Sequence, residues 1–540
     1  MKSQRLLVAA VAAALFLAPL RAAPPAWWRD AVFYEIFVRS FADASAGPLA
    51  GDGIGDLQGL IDHLDYLNDG NPRSASDLGI TALWLMPINP SPSYHGYDVT
   101  DYFAVNPQYG DTALFKRLVA EAHRRGIRVI IDFVPNHASA RHPLFLRAAA
   151  AAPGSPDRQL FRFAPLPEEL EGPWGYPVWH RTRDGFYYGL FSAQMPDWNF
   201  RDPAVTAHHR RFADYWLREI GIDGFRLDAV RYLFEDGGQQ QDLPETKAWL
   251  RDFTAYCHSI NPQSFVVGEV AAPTALTSDY LNQHALDSDF EFDFARATIW
   301  AVRDGLAGIY AQQLDRMRHA YAAPDDWSTF LSNHDQDRVA SQLGGDERQL
   351  RFAAELFLTA RGVPFIYYGE EIGMTGTKPD PEIRTPMQWT AAPGAGFSPA
   401  PAWHAVNADY PRINVATESA AGDSLLALYR RLIRLREDSP ALRHGEPVPV
   451  STPAPNVYVA MRQADGEVVL VLANFNAEPV AQPGVSAGAS ALRAGWPVTD
   501  ESGSVPVAAL APAADGSFQN WAPVAELPGE SVTVIRWRQP

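Results

Sequence analysis

Eight short apolar runs set the limits on this fold. They lie at residues 32–38, 82–87, 129–134, 224–229, 265–270, 290–294, 328–333 and 364–368, with helical patterns between them. Strands that are apolar on both faces need cover on both sides of their sheet. Eight of them alternating with helices predict an α/β fold, a closed (β/α)8 TIM barrel rather than an open sheet. One intervening helix is plain over 209–220, where Phe212, Tyr215, Trp216 and Ile220 share a face and Gly221 ends the pattern.

Three of these strands end in carboxylates. Gly224-Phe-Arg-Leu-Asp228 delivers Arg226 and Asp228, Phe265-Val-Val-Gly-Glu269 delivers Glu269, and the run from Ser328 ends at Asp335. Charge at the end of a buried strand is costly unless it meets a ligand or a partner. The carboxyl-terminal face of a barrel is where such groups do chemistry.

The chain of 540 residues, 47% apolar, has room for more than one domain. Its first segment has the parts of a secretory signal: Lys2 and Arg5, an apolar run from Leu6 to Leu20, then Ala22 and Ala23 before Pro24. The expected organisation is a signal peptide at 1–23, a barrel over 24–137 and 204–446, an irregular insert at 138–203, and a C-terminal all-β sandwich at 447–540. The insert follows the third strand. About seventy residues separate Asn136 from the next helix, too many for an ordinary βα loop, and they are rich in Trp, Tyr and Phe. In the last region, alternating strands at 456–462 and 468–474 flank an Ala464-Asp465-Gly466 turn, a hairpin signal.

Formal net charge is −18. Losing Lys2, Arg5 and Arg21 with the signal makes it about −21, which argues against nucleic acid or anionic membranes as partners and for a neutral ligand. No later apolar run is long enough to span a bilayer. A monomer exported to the periplasm or the medium is expected. The lone Cys257 cannot form an intrachain disulfide and reads as a buried helical thiol.

Hydrolysis of a glycosidic bond needs two carboxyl groups in different protonation states. Arg226, two residues before Asp228 on the same strand face, would keep Asp228 ionised. The apolar run before Glu269 would raise its proton affinity. Asp132-Phe-Val-Pro-Asn-His137, Gly224-Phe-Arg-Leu-Asp228, Gly268-Glu269 and Ser332-Asn-His-Asp335 together resemble, in order and spacing, four signature regions of the α-amylase family of glycoside hydrolases. The resemblance covers roughly residues 28–414.

By that resemblance Asp228 is the nucleophile of a retaining double displacement, Glu269 the general acid/base and Asp335 the transition-state stabiliser. Arg226, His137 and His334 match residues that contact the cleaved sugar. In Tyr94-His-Gly-Tyr-Asp98, Tyr97 stacks on that sugar, His95 lies close, and Asp98 binds a sugar hydroxyl with Arg384 as its partner. The segment from Asp43 to Asp56 resembles a calcium loop, with Asp43, Asp52, the carbonyl of Ile54 and Asp56 as ligands for Ca2+; hard cations want oxygen ligands from such a glycine-containing turn. Here extra residues separate Asp43 from Asp52. A second calcium, bridging barrel and insert in many relatives, is not expected, because Arg231-Tyr232 stand where they carry a histidine. No organic cofactor is implied.

Met195-Pro-Asp-Trp-Asn199 is similar to a motif of members between neopullulanases and oligo-1,6-glucosidases, and 66–72 and 85–87 resemble exported bacterial α-amylases. Ala229, where a valine accompanies α-1,6 preference, leans towards α-1,4 bonds. The resemblance implies an α-amylase acting on starch and maltooligosaccharides. An α-glucosidase, neopullulanase, cyclomaltodextrinase or glucan transferase would share the same carboxylates. A non-catalytic sugar-binding protein on a decayed barrel would have lost them.

Overall fold

The computed structural model of the protein describes residues 26–167, 171–323, 325–501 and 506–540. The expected signal segment, 1–23, lies outside the described residues. Eight parallel strands form the barrel: β1 Phe33–Ile36, β2 Ala82–Leu85, β3 Arg128–Phe133, β4 Gly224–Leu227, β5 Phe265–Gly268, β6 Ser288–Asp289, β7 Ser328–Thr329 and β8 Val363–Tyr367. Their order is β7-β8-β1-β2-β3-β4-β5-β6, and a parallel bridge from Phe290 to Ser328 closes the ring. The TIM barrel expected from the sequence is therefore present. Among the described residues no helix is long and apolar enough to cross a membrane.

The strand period of two divides the apolar residues between two cores. Phe33, Ala82, Trp84, Ile130, Phe265, Val267, Phe290 and Phe365 fill the barrel interior. Their neighbours Tyr34, Leu83, Ile131, Phe225, Leu227 and Val266 pack outward under the helices. Following the interior parity upward gives Glu35, Asp132, Arg226, Asp228 and Glu269, so the same alternation that builds the core stacks charge above it. Gly224 begins β4 because a Cβ there would lie 1.9 Å from the carbonyl oxygen of Phe265.

Two elements differ from the sequence reading. The sixth strand was expected over 290–294, but it ends at Asp289 and a helix runs Phe292–Asp304. Its buried Phe294, Ala297, Thr298 and Ala301 recur at helical spacing, which the short window of aromatics conceals. The helix expected over 209–220 begins earlier, at Pro203, capped by the Asp202 carboxylate accepting from the Ala204 N–H. It then continues as a π-helical stretch, Tyr215–Ile220, that Gly221 terminates at φ 85°.

The insert is more regular than its composition predicts. It carries the helix Pro143–Ala150 and a three-stranded antiparallel sheet of Phe163–Ala164, Gly185–Tyr188 and Trp179–Thr182. Its return to the barrel is pinned where the Trp198 N–H donates to the Asn136 carbonyl at 3.0 Å and the Asn136 side-chain amide donates to Asp197 at 3.0 Å.

At the C-terminus, Val457–Ala464 and Glu467–Asn474 form the expected hairpin. Its two-residue turn has both Asp465 (φ 47°) and Gly466 (φ 75°) left-handed. Ser531–Arg538 adds beside it. One face of this sheet, through Val469, Val471 and Val534, joins the barrel's outer core, while Leu470, Leu472 and Trp537 build the sandwich core on the other.

Candidate active site

Ladder hydrogen bonds extend past the assigned strand ends and set the carboxylates side by side. Asp228 N–H donates to the Phe133 carbonyl at 2.9 Å, and Glu269 N–H donates to the Leu227 carbonyl at 3.0 Å. Arg226 lies beneath them, fully buried. Its Nη1 is 2.9 Å from Asp132 and 2.8 Å from Asp228 Oδ1, and its Nη2 is 2.9 Å from Glu269 Oε2. Trp84 backs the guanidinium at 5.0 Å. The backbone N–H of Ala229 also donates to Glu269, at 3.1 Å. Ala229 sits at φ 51°, a left-handed conformation that costs a residue with a Cβ about 1 kcal/mol or more.

Asp335 belongs to a second group. Its carboxylate meets Arg384 at 2.8 Å and His334 Nε2 at 3.1 Å. His334 Nδ1 lies 2.6 Å from Glu35, and its Nε2 lies 2.6 Å from the Tyr97 hydroxyl, which donates onward to Asp132 at 3.1 Å. The two groups thus share Asp132 and form one buried network.

This network separates the proton affinities. Burial is the largest influence on Glu269, raising it to about 7; Arg226 opposes, while Asp228 and Asp335 add to the rise. Burial also lifts Asp228, to about 6, with Arg226 opposing and Asp132 and Asp335 adding to the rise. Burial works against ionisation of Asp335 too, but the charges of His334 and Arg384 outweigh it and keep that carboxyl well below its ordinary range. His334 responds in kind: burial would lower it, yet Asp335 and Glu35 raise it to about 9. Near neutral pH this arrangement holds one carboxyl protonated beside two ionised ones, which is what acid-assisted displacement at an acetal carbon requires.

The carboxylates open into a cleft of about 600 Å³ lined by His95, Tyr97, His137, Asp228, Glu269, Asp335 and Arg384 on its polar side. Arg226 and His334 lie just below this surface. Asp98 is buried but stands apart from Arg384: its carboxylate accepts from the Ser91 and Ser93 hydroxyls, and Arg384 pairs with Asp335 and Asp380 instead. The expected Asp98–Arg384 pair is therefore not formed; the serines five and seven residues upstream satisfy Asp98 locally. His137 donates from Nε2 towards the Tyr97 carbonyl at 3.1 Å, and burial pushes its proton affinity down to about 3.

Glu35, Asp132 and Asp380 escaped the sequence reading, whereas the insert's aromatics do line the cleft. Glu35 and Asp132 anchor the network, and interior strand parity was the signal that could have found them. Asp380 also lines the cleft. Across it, Trp174 and Phe191 from the insert and Tyr232 after β4 form an aromatic wall, with Trp174 5.3 Å from Phe191 and 5.4 Å from Tyr232. Trp174 remains 48% exposed, although it packs on two neighbours.

The aspartates expected to bind calcium are each engaged by donors of the chain. Asp43 accepts from the Gly51 and Gly53 N–H groups, each at 2.9 Å, and from the Ser398 hydroxyl. Asp52 turns back onto the Ile54 N–H at 2.8 Å. Asp56 caps the following helix through Gly59 and also accepts from Ala44. Among the described residues no three carboxylate, histidine or cysteine side chains are grouped to hold a metal ion. The residues present do not fit a calcium cage. At the junction of insert and barrel the Asn136–Asp197 hydrogen bond directly joins the two elements.

The alpha-amylase catalytic-domain model matches residues 35–445. The chain belongs to the α-amylase family. It is 36% identical to Alpha-amylase 3 of Dictyoglomus thermophilum over 455 residues, covering 83% of this chain and 85% of that protein. It is 30% identical to the trehalose-6-phosphate hydrolase of Escherichia coli K12, covering 84% and 92% respectively. Among solved structures, the α-amylase from H. orenii superposes with a TM-score of 0.81 at 35% identity, covering 94% of this chain and 99% of that one. The family is one of glycoside hydrolases and transferases, and the cluster of Asp228, Glu269 and Asp335 sits in its barrel.

Proposed function

We propose that this family member is a retaining α-glucoside hydrolase that cleaves α-1,4 bonds of starch and maltooligosaccharides outside the cytoplasm. The observation that carries the reading is the Arg226 guanidinium held between Asp228 and Glu269, with Asp335 ionised by His334 and Arg384. Two carboxylates on the two amino nitrogens of one guanidinium favour the roughly 5–5.5 Å separation of retaining enzymes over the roughly 6.5–9.5 Å that inversion needs for a water. In the first step an Asp228 oxygen bonds to the anomeric carbon as the glycosidic C–O bond breaks, and Glu269 gives its proton to the departing oxygen. In the second, water loses a proton to Glu269 and its oxygen displaces Asp228, so one water is consumed per bond. Asp335 supports the positive charge that develops at the sugar.

A neutral sugar fits the cleft better than a phosphorylated one. Among the described residues its lining cations, Arg231 and Arg384, already bind carboxylates of the chain. A sugar phosphate would have to displace them. Ala229 leans the bond preference towards α-1,4. The aromatic wall lines the same cleft as Ala229 and Glu269 and offers flat faces to a second sugar.

Incubation with maltoheptaose, starch, pullulan, trehalose and trehalose 6-phosphate, with products resolved over time, tests the reading. Early mid-chain fragments from maltoheptaose and little action on the trehalose compounds are expected. Glucose released singly from the first time point would replace the α-amylase reading with an α-glucosidase. Preferential cleavage of trehalose 6-phosphate would overturn the neutral-sugar argument.

A further inference from the structure

Arg231 lies three residues after Asp228, and its side chain is fully committed inside the protein. Nε is 2.9 Å from Asp242 Oδ1 and Nη2 is 2.5 Å from Asp242 Oδ2, a bidentate fork. The remaining amino group, Nη1, donates to the carbonyl of Ala271 at 2.6 Å, two residues after Glu269. Asp242 is fixed in turn: the Tyr280 hydroxyl donates to it at 2.7 Å, and its N–H donates to the Arg231 carbonyl at 2.8 Å. It holds φ 61°, a conformation that persists for such a residue only when the surroundings over-determine it.

The tether joins the loop that binds the Glu269 carboxylate to the loop that carries Glu269. The loop after β4 supplies the Ala229 N–H that binds the Glu269 carboxylate, and its turn Val230–Tyr232 contains Arg231. The loop after β5 carries Glu269 itself and Ala271. Beyond the barrel ladder and the Glu269 carboxylate itself, Arg231 bonds the first loop to the second through Ala271. With its fork spent on Asp242, it has little capacity left to bind a sugar.

We propose that Arg231 is a positioning residue for Glu269, clamping the loop after β5 onto the loop after β4 so that the Glu269 carboxyl meets the departing glycosidic oxygen. The proposal rests on Glu269 being the general acid, as read above. Its consequence is a selective defect. A displaced acid harms substrates whose leaving group needs a proton and spares those whose leaving group departs as a stable anion. General acid catalysis supplies about 10²- to 10⁴-fold, so that difference is measurable.

The test compares kcat on maltoheptaose with kcat on α-glucosyl fluoride for Arg231→Met, Arg231→Lys and Asp242→Asn. The expected result is at least about a tenfold fall on maltoheptaose and under about threefold on the fluoride, with Arg231→Lys intermediate. Equal losses on both substrates, or none on either, would overturn the proposal. Should Arg231→Met fail to fold, Asp242→Asn, which loosens the fork while keeping the guanidinium, decides the outcome on the same criterion. Glu269→Gln is the separating control. If it shows no preference for the fluoride, the reading of Glu269 as the acid fails; if it shows that preference and the Arg231 and Asp242 variants do not, only the clamp fails.

Discussion

Glu35, on β1, accepts from His334, beyond β7, at 2.6 Å, and both side chains are buried. The contact reaches past β8, which lies between β7 and β1, and keeps a positive imidazolium against Asp335. His334 has its proton affinity raised to about 9, so it stays charged up to that pH. Glu35→Gln removes the anion that favours this charge. The variant is expected to lose kcat/KM about tenfold near pH 7 and to lose more as pH rises, because His334 now deprotonates earlier. A pH–rate profile with the same alkaline limb as the parent protein would contradict it.

A second expectation concerns the two reacting carboxyls. Asp228 must be ionised and Glu269 protonated, with proton affinities of about 6 and about 7. Activity should therefore rise as pH climbs through about 6 and fall above about 7, and the two limbs belong to the pair rather than to either residue. Measuring kcat/KM for maltoheptaose from pH 4 to 9 checks this. A profile still rising at pH 8 would refute the assignment of Glu269 as the acid.

The strands that bear chemistry were legible because parity is strict: an apolar interior position two residues below a charge predicts where that charge points, as Gly224, Arg226 and Asp228 demonstrate. The barrel followed from the same regularity. Partner choice did not. Asp98 and Arg384 both lie near the cleft, but the sequence does not reveal that Ser91 and Ser93 reach Asp98 first, leaving Arg384 to Asp335 and Asp380. The sixth strand is displaced from 290–294 because the phenylalanines at 290, 292 and 294 alternate like a strand over five residues and only longer spacing reveals the helix. Glu35 interrupts an apolar run, and nothing near it in sequence shows the histidine about three hundred residues away that it binds.

The aromatic wall makes a prediction about chain length. Trp174 and Phe191 reach the cleft from the insert, so their contribution should grow when the substrate extends past the cleaved bond. Trp174→Ala is expected to raise KM for maltoheptaose about three- to tenfold, in line with about 0.5–1.5 kcal/mol for an aromatic contact, and to leave α-glucosyl fluoride nearly unchanged. Kinetics on the two substrates decide it; an equal effect on both would assign Trp174 to folding of the insert.

Acid should weaken the junction between insert and barrel. His142 accepts the Leu144 N–H through Nδ1, and His208 faces Arg211 through Nδ1, so both are neutral. Burial lowers their proton affinities, to about 4 and about 3, against roughly 6.5 in an unfolded chain. The unfolded state therefore binds protons first. The contribution of these two histidines is complete above about pH 6.5 and is lost progressively down to about pH 3, by up to about 1.4 kcal/mol per histidine for each pH unit, while Asp197, raised to about 8 by burial, works in the opposite direction. Thermal melts across this range should show the decline, and hydrogen exchange should locate its onset at residues 138–209. A melting temperature that is flat between pH 7 and 4 would exclude the junction as the weak point.

Chelation offers the last test. Asp43 and Asp56 each use both carboxylate oxygens on donors of the chain, and Asp52 closes its own turn on Ile54. Reorienting such a carboxylate towards a cation disturbs hydrogen bonds worth about 0.5–1.5 kcal/mol each, which opposes the move. The loop is thus stabilised by its own N–H groups, and Ser398 closes it from the far side. Treatment with EDTA is expected to leave the melting temperature within about 2 °C and maltoheptaose hydrolysis unchanged, because binding to the native state alone would otherwise shift the melt with metal concentration. Asp43→Ala should be destabilising with or without chelator, since it strands the Gly51 and Gly53 N–H groups. A melt that falls on chelation and recovers on adding calcium would show that these aspartates rearrange around the ion.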